Sequence, residues 1–221
     1  MTDVWFSLRL SLLVAGFATL VVGIIGTAIG YVLARYRFWG HDLLDALFTV
    51  PLVLPPTVIG FYLLGILGKR GWLGQYLFAW TGLDILFTAQ AAVIAATIMA
   101  MPLMVKTARA AIESVHPMYE QAAYTLGKNS WQTFIQVTLP LAWKGIAAGL
   151  MLSFARALGE FGATLMVAGN IPRKTQTMPL AIYEATQTGD DRMALILVSI
   201  LTVTSLLILV ITNRLSQGRT W

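Results

Sequence analysis

The stretch LSLLVAGFATLVVGIIGTAIGYVLA, residues 10–34, contains no charged residue and decides the class of this protein. A helix rises about 1.5 Å per residue, so roughly 20 apolar residues cross the ~30 Å hydrocarbon core of a bilayer. The stretch is therefore long enough to span a membrane, and it is too long for the apolar core of a cleaved signal peptide. Within it, Gly26 and Gly30 have the GxxxG spacing of helix-packing faces, but such pairs are frequent in membrane helices, so a dimer role is the weaker interpretation.

Four further apolar runs follow along the chain. The chain is 57% hydrophobic and 11% charged over 221 residues, whereas soluble domains are about 25% charged. So few charges cannot cover the surface of a soluble globule. The sequence predicts an all-α integral membrane protein that forms one transmembrane domain over residues 1–221, with five spans at residues 10–34, 43–67, 85–107, 145–168 and 193–213.

The basic residues predict the orientation in the membrane, because Lys and Arg favour the cytoplasmic side during insertion. With the N-terminus outside, the inner segments would carry Arg35, Arg37, Lys106, Arg109, Lys128, Lys144, Arg214 and Arg219. The outer segments would carry fewer, namely Lys69, Arg70, Arg173, Lys174 and Arg192, with Arg9 near the outer edge. This bias predicts an external N-terminus, a cytoplasmic C-terminus and a cytoplasmic loop at residues 108–144. The basic residues are scattered instead of forming a stripe, so nucleic-acid binding is not expected.

Several kinds of chemistry are excluded by what the sequence lacks. There is no cysteine, and His41 and His116 are far apart in the chain, so we assign neither a catalytic thiol nor a metal site. No GxxxxGK[ST] phosphate loop and no GxSxG or HExxH motif is present, so we expect neither an ATPase nor an intramembrane protease. An ion-coupled secondary transporter remains a remote alternative, since it would be expected to carry inverted repeats or several intramembrane acids, and only Glu160 qualifies.

The predicted cytoplasmic loop contains EQAAYTLGKNSWQTFIQVTLP, residues 120–140. Met118, Ala122 and Leu126 recur every four residues, which places them on one face of a short helix. Gly127 permits the left-handed residue that ends such a helix. A second short helix is expected from Ser130, which is a plausible N-cap.

This loop resembles the EAA loop of ABC importer permeases, in which Glu-x-Ala-Ala is followed by Gly and then by Leu-Pro. The matching residues are Glu120, Ala122, Ala123, Gly127, Leu139 and Pro140. The resemblance implies a type I ABC importer permease fold, whose coupling helix sits in a groove on a separate ATP-hydrolysing subunit. Coupling is thereby assigned to Glu120, Ala122, Ala123 and Gly127, with Glu120 offering a charge or hydrogen bond to that partner. The alternative is an amphipathic helix that lies on the lipid headgroups.

The second predicted span contains PLVLPPTVIG, residues 51–60, with Pro51, Pro55 and Pro56 inside an apolar run. Each proline removes a backbone hydrogen bond, so the helix must kink and the freed carbonyls need other partners. Discontinuous helices often line a transport path. We favour a path-lining segment over a kink with a purely structural role.

The fourth predicted span contains FARALGEFGATLMVAGNIP, residues 154–172. Arg156 and Glu160 are four residues apart and can pair, since charges at membrane depth must face protein or water. Gly159 and Gly162 allow close helix approach or local unwinding, so the outer half of this span can break into a shorter or re-entrant helix. Two interpretations are equally good: a gating or path role for these residues and Thr164, or an ion pair that only packs the helices. A direct anion site at Arg156 is a weaker third.

These two stretches most resemble molybdate permeases, and sulfate and tungstate permeases are related to them. The resemblance implies a homodimer in the cytoplasmic membrane of a prokaryote that works with two copies of an ABC ATPase and an extracytoplasmic oxyanion-binding protein. ATP and magnesium would be bound by the ATPase, and this chain would hold no cofactor.

Overall fold

The computed structural model describes residues 2–82 and 84–217, and this part of the chain contains helices and turns without strands. Arg219 of the predicted basic tail lies outside the described residues. The helices are α1 (Thr2–Arg35), α2 (His41–Val53), α3 (Pro56–Leu67), α4 (Gly74–Thr81), α5 (Ala89–Glu113), α6 (Pro117–Thr125), α7 (Ser130–Thr133), a π-helical turn (Phe134–Thr138), α8 (Leu139–Leu158), α9 (Gly162–Ala168), α10 (Met178–Gln187) and α11 (Asp191–Gln217).

Four helical segments of the described chain are long and apolar enough to cross a membrane: Asp3–Arg35, Ala89–Glu113, Ser130–Leu158 and Asp191–Val210. The prediction of an all-α membrane protein with about five spans is confirmed, because α2 and α3 together can supply a fifth. The helix limits differ from the predicted ones in both directions: α1 extends beyond residues 10–34 at both ends, whereas α5 begins only at Ala89 and α8 already ends at Leu158. In particular, the polar loop is shorter than expected, since α5 continues to Glu113 and the next long helical segment begins at Ser130.

The predicted span at residues 43–67 is not one kinked helix, because α2 and α3 meet at an angle of 115°. The cause is the Pro55–Pro56 pair. Leu54 precedes a proline and is extended, with ψ of 143°, as the steric clash with the following ring requires. Pro56 then opens α3, where its missing N–H breaks no hydrogen bond. Pro51 remains inside α2.

Helix α5 is the centre of the bundle, and α1 packs closely against it through two glycines. A Cβ atom on Gly30 would lie 2.9 Å from Cβ of Ala108, and one on Gly26 would lie 2.8 Å from Cγ of Met104. Van der Waals packing of small residues drives such helix association in membranes. The GxxxG stripe of α1 is therefore used within the chain.

A second pair of glycines brings α8 onto a neighbouring face of α5, where Met104 is close to a glycine of α1 and to one of α8. A Cβ atom on Gly145 would overlap the side chain of Ala111, and one on Gly149 would overlap the hydroxyl of Thr107. Helices α1, α5 and α8 thus form one closely packed three-helix bundle, in which the glycine spacing of α8 repeats that of α1.

Candidate functional site

The short helix α6 stands between the ends of two bundle helices and has the caps that the sequence predicts. Pro117 occupies its first turn, and Nδ1 of His116 accepts a hydrogen bond from the backbone N–H of Met118 at 3.2 Å. Gly127 ends it with φ of +79°, which confirms the expected left-handed residue. The backbone N–H of Lys128 closes this turn by donating to the carbonyl of Ala123 at 3.1 Å.

The next helix, α7, is capped by Asn129, so the prediction of Ser130 as the N-cap is wrong. Oδ1 of Asn129 accepts a hydrogen bond from the backbone N–H of Gln132 at 2.9 Å, and Oε1 of Gln132 accepts one from the backbone N–H of Asn129 at 3.1 Å. This reciprocal capping box satisfies two N–H groups at once. Asn and Ser are comparable N-caps. Gln132 makes Asn129 the cap, because its side chain accepts a hydrogen bond from the backbone N–H of Asn129.

Glu120 points into its own chain, whereas the resemblance assigns its carboxylate to a partner subunit; its role in coupling stays a prediction. Its Oε1 accepts hydrogen bonds from Nε of Arg35 at 3.1 Å and from the hydroxyl of Thr138 at 2.6 Å. Glu120 is 8% exposed and Thr138 is fully buried. A buried carboxylate is stable only where charge and hydrogen bonds compensate it, and these two donors do so. We call Arg35, Glu120 and Thr138 the polar joint.

The outward side of α6 is apolar and free of intrachain contacts that would bury it. Met118, Tyr119, Ala122 and Leu126 are all exposed and fall within about 100° of the helix circumference; we call them the exposed stripe. Ala123 lies on the inward side and is buried. The two alanines of the loop therefore have different surroundings, and only Ala122 is accessible to another protein.

In the fourth predicted span the helix breaks between Leu158 and Gly162, as the glycines suggested. Glu160 lies in the break and is 3% exposed. Its Oε1 accepts a hydrogen bond from the backbone N–H of Ala163 at 2.8 Å and so caps α9. Its Oε2 lies 2.6 Å from Nη1 of Arg156 in the last turn of α8, so the expected pair forms as an ion pair across a helix end.

The two proline- and glycine-containing breaks pack on each other. A Cβ atom on Gly162 would lie 3.0 Å from Cβ of Pro56, and one on Gly60 would lie 2.9 Å from Cα of Ala163. Thr164 is buried within α9. The structure thus brings Pro56, Gly162 and Thr164 into one unit formed by α3 and α9. Their role in a translocation path, together with that of Pro51, Pro55, Arg156, Gly159 and Glu160, stays a prediction.

A cavity of about 450 Å³ lies between α1, α8 and α11. Its walls are nearly all apolar, and the hydroxyls of Thr19 and Ser205 donate to the carbonyls of Ala15 and Leu201 in their own helices. No charged side chain lines it. A hydrated anion would lose more hydration than these walls return, so this cavity does not fit an anion site. Within residues 2–82 and 84–217, no group of three His, Asp or Glu is arranged to hold a metal ion.

At the opposite end of the bundle, the segment between α9 and α10 is tied down by polar contacts. Nε of Arg173 donates to Oδ1 of Asp3 at 2.6 Å, and this hydrogen bond raises the pKa of the guanidinium. Nδ2 of Asn170 donates to Oε2 of Glu184 at 2.9 Å. These contacts connect the segment to the first turn of α1 and to α10, so it is part of the folded domain.

Comparisons with known proteins give a consistent result over nearly the whole chain. Residues 26–219 match the family described as binding-protein-dependent transport system inner membrane component. The molybdenum transport system permease protein ModB of Escherichia coli is 43% identical over 220 residues, which cover 97% of this chain and 96% of that protein. The putative molybdenum transport system permease protein YvgM of Bacillus subtilis is 44% identical over 90% of this chain and 88% of its own length. The sulfate transport system permease protein CysT of Escherichia coli is 37% identical over 95% of this chain and 75% of its own length.

Two solved structures share the fold at low sequence identity. A chain of the methionine ABC transporter MetNI in an inward-facing conformation aligns with a TM-score of 0.72 and 16% identity, covering all of this chain and 95% of that one. A chain of a bacterial ABC transporter involved in the import of the acidic polysaccharide alginate aligns with a TM-score of 0.79 and 16% identity, covering all of this chain and 81% of that one. At such identities the likeness concerns the fold.

Proposed function

This chain belongs to the family of binding-protein-dependent transport system inner membrane components, and from that premise we propose that it is the permease subunit through which an ATP-driven importer moves molybdate into the cell. The single observation that carries the proposal is the 43% identity to a molybdenum permease over 97% of the chain. The type I ABC importer permease fold is shared with solved importers. The protein is thus a multi-pass protein of the inner membrane.

Sulfate is the second candidate substrate, because a sulfate permease is 37% identical over 95% of this chain. Tungstate has chemistry close to that of molybdate and is a third. Arg156 is already paired with Glu160 at 2.6 Å, so its charge is not free to select one dianion over another. We therefore assign most of the selectivity to an extracytoplasmic binding protein that delivers the anion.

The energy would come from another polypeptide, since the sequence contains no phosphate loop. The exposed stripe supports this assignment, because an apolar surface on a polar loop indicates a protein partner or a lipid surface. We infer that two copies of an ABC ATPase each receive one α6 helix of a permease homodimer. In this arrangement Ala122 and Gly127 give the partner's backbone close access, and the N-terminus lies outside with the loop in the cytoplasm.

These contacts support the following transport cycle. ATP binding would draw the two ATPase subunits together and shift the two α6 helices. The closely packed bundle would carry this shift to the α3–α9 unit, where Pro51, Pro55, Pro56, Gly159 and Gly162 allow the path to open on one side and close on the other. Glu160, Arg156 and Thr164 would keep the broken helices in register during the change.

The substrate is tested by uptake of radiolabelled molybdate in host cells that lack the gene for this chain and in cells in which it is restored. Restored uptake that excess tungstate or molybdate inhibits, and that excess sulfate inhibits only weakly, is the expected result. Stronger inhibition by sulfate than by molybdate would assign the permease to sulfate. Uptake that does not depend on the gene would refute the proposal.

The partner is tested by purification in mild detergent. An ABC ATPase should copurify in equal amount, and Ala122→Trp should remove it because the bulky ring occupies the exposed stripe. Gln121→Trp is the matched control, since residue 121 is exposed but lies outside the stripe. Equal recovery of the ATPase with both variants would contradict the assigned surface and favour a helix that rests on lipid.

A further inference from the structure

The cytoplasmic end of α1 meets the π-helical turn in two layers that are one helical turn apart. In the first layer the rings of Tyr31 and Phe134 pack with centroids 4.6 Å apart. In the second layer, four residues further along both segments, Arg35 and Thr138 both bind Glu120. The carboxylate of α6 therefore enters between two other elements, at the point where they already touch.

A single oxygen holds the polar joint together. Oε1 of Glu120 accepts hydrogen bonds from Nε of Arg35 at 3.1 Å and from the hydroxyl of Thr138 at 2.6 Å. The same oxygen lies 3.0 Å from Nη2 of Arg35. Nη2 of Arg35 also donates to the carbonyl of Val115 at 3.1 Å, in the turn that leads into α6. Arg35, the last residue of α1, thus contacts both the turn that precedes α6 and the inward face of α6.

The polar joint is the main attachment of α6 to the rest of the chain. Only Glu120 and Ala123 are buried in this helix, so apolar packing contributes little to holding it. Loss of one partner from a buried charge pair leaves the other charge uncompensated and is strongly unfavourable. A force on α6 is therefore passed through Glu120 to α1 and to the turn before α8.

We propose that Arg35 and Thr138 are positioning residues for energy coupling, which hold Glu120 so that a displacement of α6 moves α1 and α8 as one body. This inference rests on the proposed function, because it requires an ATPase that pushes on α6. It assigns Glu120 an intramolecular role in coupling, and leaves the contact with the ATPase to the exposed stripe.

The test is the number of molybdate ions moved per ATP hydrolysed, measured on the complete importer with its ATPase and binding protein in proteoliposomes. Arg35→Gln should lower this ratio about tenfold, because a buried charge pair is broken, while the ATPase still copurifies and hydrolyses ATP. Thr138→Val should lower it about threefold by removing one hydrogen bond. Thr138→Ser, which keeps the hydroxyl, should have the same ratio as the wild-type importer.

Arg109→Gln is the matched control, since Arg109 is also at the cytoplasmic end of its helix but pairs with the partly exposed Asp45 and Glu113. It should leave the ratio unchanged.

If Arg35→Gln does not fold, the Arg35→Gln and Glu120→Gln double variant keeps the shape without charge and should show the same loss of the ratio. An unchanged ratio in Thr138→Val and in the foldable Arg35 variant would overturn the inference. So would equal losses of ATP hydrolysis and transport. Absence of molybdate uptake in the wild-type importer would instead refute the proposed function.

Discussion

Two Arg–Glu pairs in this chain have similar chemistry and different placement. Arg35 and Glu120 are 85 residues apart in sequence and join α1 to α6. Arg156 and Glu160 are four residues apart and bridge a break within one segment. Both glutamates are less than a tenth exposed, so both pairs are compensated buried charges. The first connects two helices that are distant in the sequence, and the second stabilises the local path of the backbone.

The two pairs therefore contribute differently. A long-range pair adds little to the stability of any single helix, but it decides which helices move together. A local pair at a helix end satisfies N–H groups and complements the helix dipole. Its loss therefore lowers the stability of the folded chain. Coupling is therefore expected to depend on the first pair, and folding on the second.

The largest expected effect is the loss of stability in Glu160→Ala. This variant leaves Arg156 without its partner and the N–H of Ala163 without its acceptor, at a cost of about 3–5 kcal/mol. Thermal unfolding in detergent should show a clear drop in Tm. The Tm of Glu160→Gln, which keeps an acceptor, should lie between that of Glu160→Ala and that of the wild type. Glu120→Ala also leaves Arg35 and the hydroxyl of Thr138 without their acceptor, so it should lower Tm as well. It should in addition lower the number of molybdate ions moved per ATP hydrolysed more than Glu160→Gln does. An equal or larger loss of this ratio in Glu160→Gln would contradict the different roles of the two pairs.

A second expected effect concerns the three-helix bundle that carries the polar joint. Gly149→Ala would push a methyl group into Thr107, and such overpacking costs about 1–3 kcal/mol. The double variant Thr107→Ala with Gly149→Ala should recover part of the loss in Tm, because the clashing hydroxyl is gone while the close contacts with Sδ of Met104 and with Cβ of residue 107 remain. Gly65→Ala is the control, since a Cβ atom there meets nothing within 4 Å. A drop in the control equal to that in Gly149→Ala would show that the glycines are not packing positions.

The elements near these pairs could be predicted where the signal is local. Apolar length gives the spans, the Pro55–Pro56 pair gives the break after α2, and Gly127 gives the left-handed end of α6. The spacing of Arg156 and Glu160 predicts their pairing, because residues four apart approach each other along a helix. Each of these inferences needs only the geometry of a few consecutive residues.

What the sequence could not reveal depends on contacts between distant segments. Nothing in the spacing of Arg35, Glu120 and Thr138 predicts that they meet, and the resemblance points Glu120 towards a partner protein instead. Gly145 and Gly149 have the same spacing as Gly26 and Gly30, but spacing does not identify the surface on which a glycine stripe packs. The roles assigned to the coupling and path residues stay predictions until transport is measured.

A smaller effect is expected at the capping box, which holds α7 in place beside the polar joint. Asn129→Ala should cost about 1 kcal/mol by removing the N-cap, and Ser130→Ala should cost almost nothing. The sequence alone favours the reverse order. Hydrogen exchange of the amides at residues 130–133 measures the difference directly. Faster exchange in Ser130→Ala than in Asn129→Ala would restore Ser130 as the cap.

The smallest expected effect is at a third charge pair, which is exposed. Nζ of Lys106 lies 3.0 Å from Oδ1 of Asp45, with 45% and 23% of the two side chains exposed. Exposed pairs contribute about 0.2–1 kcal/mol and are weakened by salt. A double-mutant cycle with Asp45→Asn and Lys106→Gln should give a coupling energy in this range that falls as salt increases. Because Arg109 also contacts Asp45, the cycle is repeated with Arg109→Gln as background. A salt-independent coupling as large as that of Arg35 with Glu120 would mean that burial does not separate the strong pairs from the weak one.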